Sequence, residues 1–281
     1  MTIGPYDLYE IETGRFALDG GAMFGVVPKP LWEKSNPADG RNRITMAARA
    51  LLLVGGGRRI LIDTGNGHKL NDKLSEIYRI DHTHSTLFGS LRARGITPEM
   101  VTDVVLTHLH FDHAGGATLL NDGRLVPAFP NARYYVQREQ WEAACNPTER
   151  DRASFFRDDF FPLRDHGVLE FTEGEGELFP GLRLVCVHGH TTALQLPLLS
   201  DGSTTLLYCA DLVPLASHVQ LPWIMAYDLR PLVTLEEKRR LLASAVEERW
   251  VLFFEHDPVT AAARIRQGEK GIVVDSAVAM E

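Results

Sequence analysis

Apolar residues in this chain fall into short runs punctuated by glycine, with longer amphipathic stretches between them. Runs at 50–54 and 59–63 are joined by Gly55-Gly56-Gly57, which predicts a hairpin. Thr97-Pro98-Glu99 offers an N-cap and a proline at the first helical position, so a short helix is expected there. Val104-Val105-Leu106 predicts a strand. Residues 137–144 and 149–161 carry helical spacing, and Phe155, Phe156, Phe160 and Phe161 form a stripe. That stripe suits core packing, with an interface or channel face as the alternative. Runs at 182–187, 194–198 and 204–209 predict strands of a second sheet. A helix over 234–249 and a core strand over 250–254 close the chain. Strands, a helical middle and strands again predict an α/β (α+β) fold, with two sheets face to face and helices outside.

Composition narrows the class. The 281 residues are 44% apolar and 23% charged, ordinary for one globular domain spanning 1–281. A net charge of −8, from 29 basic and 37 acidic residues, argues against a nucleic-acid partner. Cys145, Cys186 and Cys209 are too few and too scattered for a disulfide framework. The first residues show no signal-peptide pattern, and no run is long enough to span a membrane. A cytoplasmic protein is expected.

The chemistry concentrates at Thr107-His108-Leu109-His110-Phe111-Asp112-His113, directly after the 104–106 run and before Gly115-Gly116. At an extended strand end His108 and His110 project to the same side. Neutral imidazoles are the commonest metal ligands, and a nearby carboxylate suits Zn or another first-row metal. Asp112 and His113 would aim at an adjacent point, which suggests two ions side by side. A histidine-rich surface loop would explain any two of these residues, but not four in this order and context. No cysteine ligand accompanies them, which favours an open catalytic site over a closed structural one.

The H-x-H-x-D-H run resembles the signature of the metallo-β-lactamase superfamily, and the resemblance extends over nearly the whole chain. Gly189-His190-Thr191, Cys209-Ala210-Asp211 and Glu255-His256-Asp257 follow in the order such proteins use. The 60–65 run resembles their early strand, where Asp63 would buttress a metal ligand. The resemblance implies a four-layer αββα sandwich. It implies one ion on His108, His110 and His190, a second on Asp112, His113 and His256, and Asp211 bridging them. Two divalent ions per chain are expected, zinc first, with Mn, Co or Fe as alternatives. A hydroxide held between them would attack the substrate, with Asp112 and Asp211 at the reacting centre. His68, His82, His84, His166 and His218 lack a ligand context and read as surface or packing residues. His188 reads as a support for the site or a surface residue.

A narrower likeness lies at 19–32, Asp-Gly-Gly-Ala-Met-Phe-Gly-Val-Val-Pro-Lys-Pro-Leu-Trp, which is similar to the opening of YtnP-like quorum-quenching lactonases. Those proteins are assigned to N-acyl-homoserine lactones. The likeness implies an N-terminal loop at 19–32 and a helical insertion near 137–166. Met23, Phe24, Val26 and Val27, with Trp223 and Met225, are then expected to line the acyl pocket, ordinary core packing being the alternative. Some homoserine lactonases place tyrosine three residues after the bridging aspartate. Here that position is Pro214, and Tyr227 is the replacement to consider. A homodimer acting on a small lactone or ester is expected. Other readings are a phosphotriesterase or general esterase on the same ligands, and a binding protein whose metals only order the fold.

Overall fold

The computed structural model describes residues 1–280. Residues 1–15 and 48–174 form one compact unit, and residues 16–47 and 175–280 form a second. No helix among the described residues is long and apolar enough to cross a membrane.

The first unit is built on a seven-stranded sheet. Its order is Thr2–Ile3, Tyr6–Asp19, Arg43–Gly55, Arg58–Ile62, Asp103–Val105, Arg133–Gln137 and Leu169–Thr172. The 6–19 and 43–55 strands have their other ends in the second unit. From Arg58–Ile62 onward the neighbours run parallel. Parallel strands send their carboxyl ends to one edge, where open α/β sheets place ligands. Asp63 follows one such end and His108 another. Leu52, Leu61, Val104, Phe129, Tyr134, Trp141 and Phe160 belong to the apolar core of this unit.

The predicted hairpin forms, with Leu51 opposite Ile62 and Gly55 opposite Arg58. After Thr97 there is a single 3-10 turn, Pro98–Met100. The helix expected over 149–161 begins only at Arg157 and runs to Asp165. Phe155 and Phe156 precede it in extended backbone. There Phe155 sets its ring 4.7 Å from His110, and Phe156 meets Phe111 at 6.0 Å. These contacts hold the two rings without a helix. Phe155 and Phe160 are core residues, as the packing reading of the stripe expects. The long strand Tyr6–Asp19 was not anticipated, because its apolar alternation changes phase and Gly14 sits at φ +144°.

The second unit holds another seven-stranded sheet. Its order is Gly176–Phe179, Leu182–Val187, Leu194–Ser200, Thr205–Tyr208, Val251–Phe253, Ala262–Gly268 and Gly271–Ala277. All pairs are antiparallel except Thr205–Tyr208 with Val251–Phe253. In that parallel pair Tyr208 stands opposite Phe253. Asp211 and His256 each lie three residues beyond these partners, so register alone delivers them to the same end of the sheet. The helix Pro231–Glu247 buries Thr234, Lys238, Leu241, Leu242 and Ala245, an i, i+4, i+7, i+8, i+11 stripe. Residues 19–32, expected as a loop, contain the helical turns Gly20–Phe24 and Lys29–Trp32. Asp19 caps the first by accepting from Ala22 N at 2.9 Å.

Candidate metal centre

In the first unit a carboxylate organises the histidines. Asp63 Oδ1 accepts from Thr107 N at 2.7 Å, and Oδ2 accepts from Thr107 Oγ1 at 2.7 Å and His113 Nδ1 at 3.1 Å. All three residues are fully buried. Because the hydroxyl proton of Thr107 goes to Asp63, its oxygen must accept from His108 Nδ1, 3.1 Å away. His108 and His113 therefore carry their protons on Nδ1, and each Nε2 presents a lone pair. His108 Nε2 lies 3.0 Å from His110 Nδ1. The ligand atoms of His108 and His110 lie within 4.8 Å of each other, as do those of Asp112 and His113.

Glycine fixes the turn that holds this cluster. A Cβ on Gly116 would sit 2.3 Å from Thr64 O, so only glycine lets the 115–116 turn close on 64–66. Thr64 in turn donates from N and Oγ1 to His113 O at 2.8 and 2.7 Å.

The second unit contributes a carboxylate between two imidazoles. Asp211 Oδ2 is 3.0 Å from His190 Nε2, and Oδ1 is 3.3 Å from His256 Nε2. On the far side of His190, Nδ1 lies 2.8 Å from Asp228 Oδ1. His256 Nδ1 donates to Ala47 O at 2.9 Å, and Phe16 meets its ring edge-on at 5.2 Å. Burial by itself would push His190 down. The carboxylates of Asp211 and Asp228 overcome it and raise the ring to about 10. The turn before His190 is closely packed: a Cβ on Gly189 would fall 2.2 Å from Thr234 Oγ1 and 2.4 Å from Thr234 N. Glu237 holds that turn by accepting from His188 N at 2.6 Å and Gly189 N at 3.0 Å.

Both clusters have the donor chemistry of a divalent-cation site. They contain buried imidazoles whose rear nitrogens are anchored by oxygen, and carboxylates among them; at His190 a cation would take the place of the proton that Asp211 and Asp228 now favour. The structure thus ties His113 to Asp63 directly and His108 to it through Thr107, with His110 beside His108 and Asp112 beside His113, and it sets His190 and His256 against Asp211. Asp228 and Glu237 were not singled out from the sequence. Asp228 stands 38 residues from its histidine, a separation that no local spacing encodes.

The expected pocket residues divide by exposure. Val26 is 91% exposed and Tyr227 39% exposed, whereas Met23, Phe24, Val27 and Met225 are buried and Trp223 is half-buried. The Phe24 ring stacks on Trp32 at 5.0 Å and on His218 at 4.9 Å, and meets Trp223 edge-on at 5.5 Å. His218 reaches Met23 O from Nε2 at 2.8 Å, and burial takes its pKa down to about 3.

Residues 46–256 match the family model of the metallo-beta-lactamase superfamily, and the chain belongs to that superfamily. Its two seven-stranded sheets with their helices are the mixed α/β fold of that group. N-acyl homoserine lactonase AiiA of Bacillus thuringiensis subsp. kurstaki is 28% identical over 170 residues, which are 59% of this chain and 60% of the relative. The match thus spans about 60% of the length of that curated relative. A probable metal-dependent hydrolase from Staphylococcus aureus superposes with a TM-score of 0.89 at 27% identity, over 99% of this chain and 100% of the other. AidC, a dizinc quorum-quenching lactonase solved with N-hexanoyl-L-homoserine, superposes at 0.82 with 20% identity, covering 100% and 97% of the two chains. At that identity the likeness to AidC is one of fold.

Proposed function

We propose that this protein is a metal-dependent hydrolase that opens the lactone ring of N-acyl-homoserine lactones. The observation that carries the proposal is the set of buried ligands with oriented imidazoles, in a chain whose curated relatives include an N-acyl homoserine lactonase. In this reading His108, His110 and His190 hold one divalent ion, Asp112, His113 and His256 hold the other, and Asp211 serves both. Zinc is the expected ion, with Mn, Co and Fe as substitutes. When bound, such ions make water acidic enough to act near neutral pH and polarise an ester carbonyl.

The protein's own groups do the rest. Asp63 and Asp228 fix the rear nitrogens of His113 and His190, and with them the direction of each lone pair. Tyr227, exposed and next to Asp228, donates a hydrogen bond to the oxygen that gains charge as the ring opens. Val26 meets the acyl chain, and Met23, Phe24, Val27, Trp223 and Met225 form the wall behind it. A cytoplasmic homodimer acting on a small molecule completes the proposal.

The test is proton release from N-hexanoyl- and N-decanoyl-homoserine lactone by metal-counted protein, beside a paraoxon-like phosphotriester. Two ions per chain with rapid ring opening is the expected result. Two ions, intact lactones and phosphotriester turnover would keep the centre and replace the substrate. Protein that binds no ion would overturn both.

A further inference from the structure

His68 and His82 take no part in the clusters described above. Their rings lie against each other, 4.1 Å between centroids and tilted by 44°. They line a cavity of about 190 Å³ in the first unit with Thr13, Thr64, Lys69 and Thr118. His108 and His110, read above as ligands of one ion, stand at a comparable 4.5 Å, with their rings crossed at 78°.

The other polar groups of the cavity are committed. Lys69 Nζ pairs with Asp159 at 3.0 Å and donates to Thr118 O at 2.8 Å and to Gly115 O. Thr13, Thr64 and Thr118 spend their hydroxyl protons on Ala48 O, His113 O and Asp158 O. Among the described residues, neither ring of the His68–His82 pair has a hydrogen-bond partner.

What such a pair can bind follows from its charge. Burial lowers both rings, with Lys69 adding to His68; the charge of His68 adds to His82, which falls to about 4. Both are neutral at pH 7 and offer lone pairs. An anion would gain no charge attraction from them, because burial and mutual repulsion resist their protonation. A cation of borderline softness needs neutral imidazoles side by side. The positive charge of Lys69 is balanced by Asp159, and the Asp81 carboxylate adds negative potential at His82.

We propose that His68 and His82 form a peripheral metal site that takes a zinc-like divalent ion on two imidazole nitrogens, with water completing its coordination. The site is independent of the lactonase reading, because it shares no ligand with the centre proposed above.

The test is zinc counting by mass spectrometry on protein equilibrated with rising free zinc, comparing the natural chain with His68→Phe and His82→Phe. Phenylalanine keeps a ring against its neighbour and removes the nitrogens. The expected result is one zinc fewer per chain in each variant, with the more tightly held ions retained. Equal counts in all three folded proteins would overturn the proposal. As a check that needs no variant, substoichiometric nickel added to the zinc-loaded natural protein should broaden the ¹⁵N ring resonances of His68 and His82 together. Unchanged resonances would also overturn it.

Discussion

Asp228 gives the sharpest test of how the centre is held. Its Oδ1 lies 2.8 Å from His190 Nδ1, and both residues are buried. A hydrogen bond to a charged group contributes about 1.5–3 kcal/mol. Carboxylates that orient a metal-bound imidazole are worth roughly 10–100-fold in metal affinity, or about 1.4–2.8 kcal/mol at 1.4 kcal/mol per tenfold. Asp228→Asn keeps an acceptor in place and removes the charge. It should weaken zinc binding toward the lower end, about 10-fold. Asp228→Ala removes the acceptor as well, leaves a buried N–H without a partner, and frees the ring to turn. It should approach 100-fold. Competition with a chromophoric chelator measures both affinities, and near-ultraviolet circular dichroism reports whether the fold survives. Natural zinc affinity in both variants, with the fold intact, would show that Asp228 does not set the direction of His190.

Two further substitutions probe the surroundings. Lys238 is buried with Nζ against Gln220 O at 2.9 Å and Trp223 O at 2.6 Å, and burial lowers it to about 7. The unfolded chain keeps this proton up to 10.5 while the folded chain releases it near 7. Stability should therefore rise between those pH values, by at most about 1.4 kcal/mol per pH unit. The carbonyl acceptors favour the ammonium form, so the rise should begin at or somewhat above pH 7. Lys238→Met should flatten that rise in urea titrations run from pH 7 to 10; an identical slope in the variant would assign it to other groups. Gly189→Ala drives a methyl into the backbone of Thr234 and should cost about 1–3 kcal/mol, the range for overpacking. Calorimetry and zinc counting should fall together, because His190 is the next residue. A stable variant with full zinc content would refute the close-packing account of that turn.

The parts of the site that were legible in the sequence are those where one strand end carries several ligands. The run from His108 to His113 is local: the strand ends at Val105, an irregular stretch carries His108 and His110, and one helical turn, Phe111–Ala114, carries Asp112 and His113, so a short span of sequence holds four ligands. His190, Asp211 and His256 needed family order, because their common destination depends on strand pairing. The Tyr208–Phe253 register that delivers Asp211 and His256 joins residues 45 apart, and nothing local announces it. Asp228 and Glu237 were missed for the same reason: an aspartate or glutamate on a loop or helix looks solvated until its partner is known. The helical period also misled at Phe155 and Phe156. Aromatic rings held by long-range contacts imitate a helix face while the backbone is extended.

Asp63 has a further consequence. One carboxylate, itself in the left-handed region at φ +57°, fixes His113 directly and His108 through the Thr107 hydroxyl. In the proposed centre those two histidines serve different ions. Filling either position would stiffen the shared support and so prepare the other, and emptying either would loosen both. Under scarce metal such a population would divide into fully loaded and empty molecules, with few carrying a single ion. Activity would then track the fraction of complete centres, so the supply curve would bend upward at its foot.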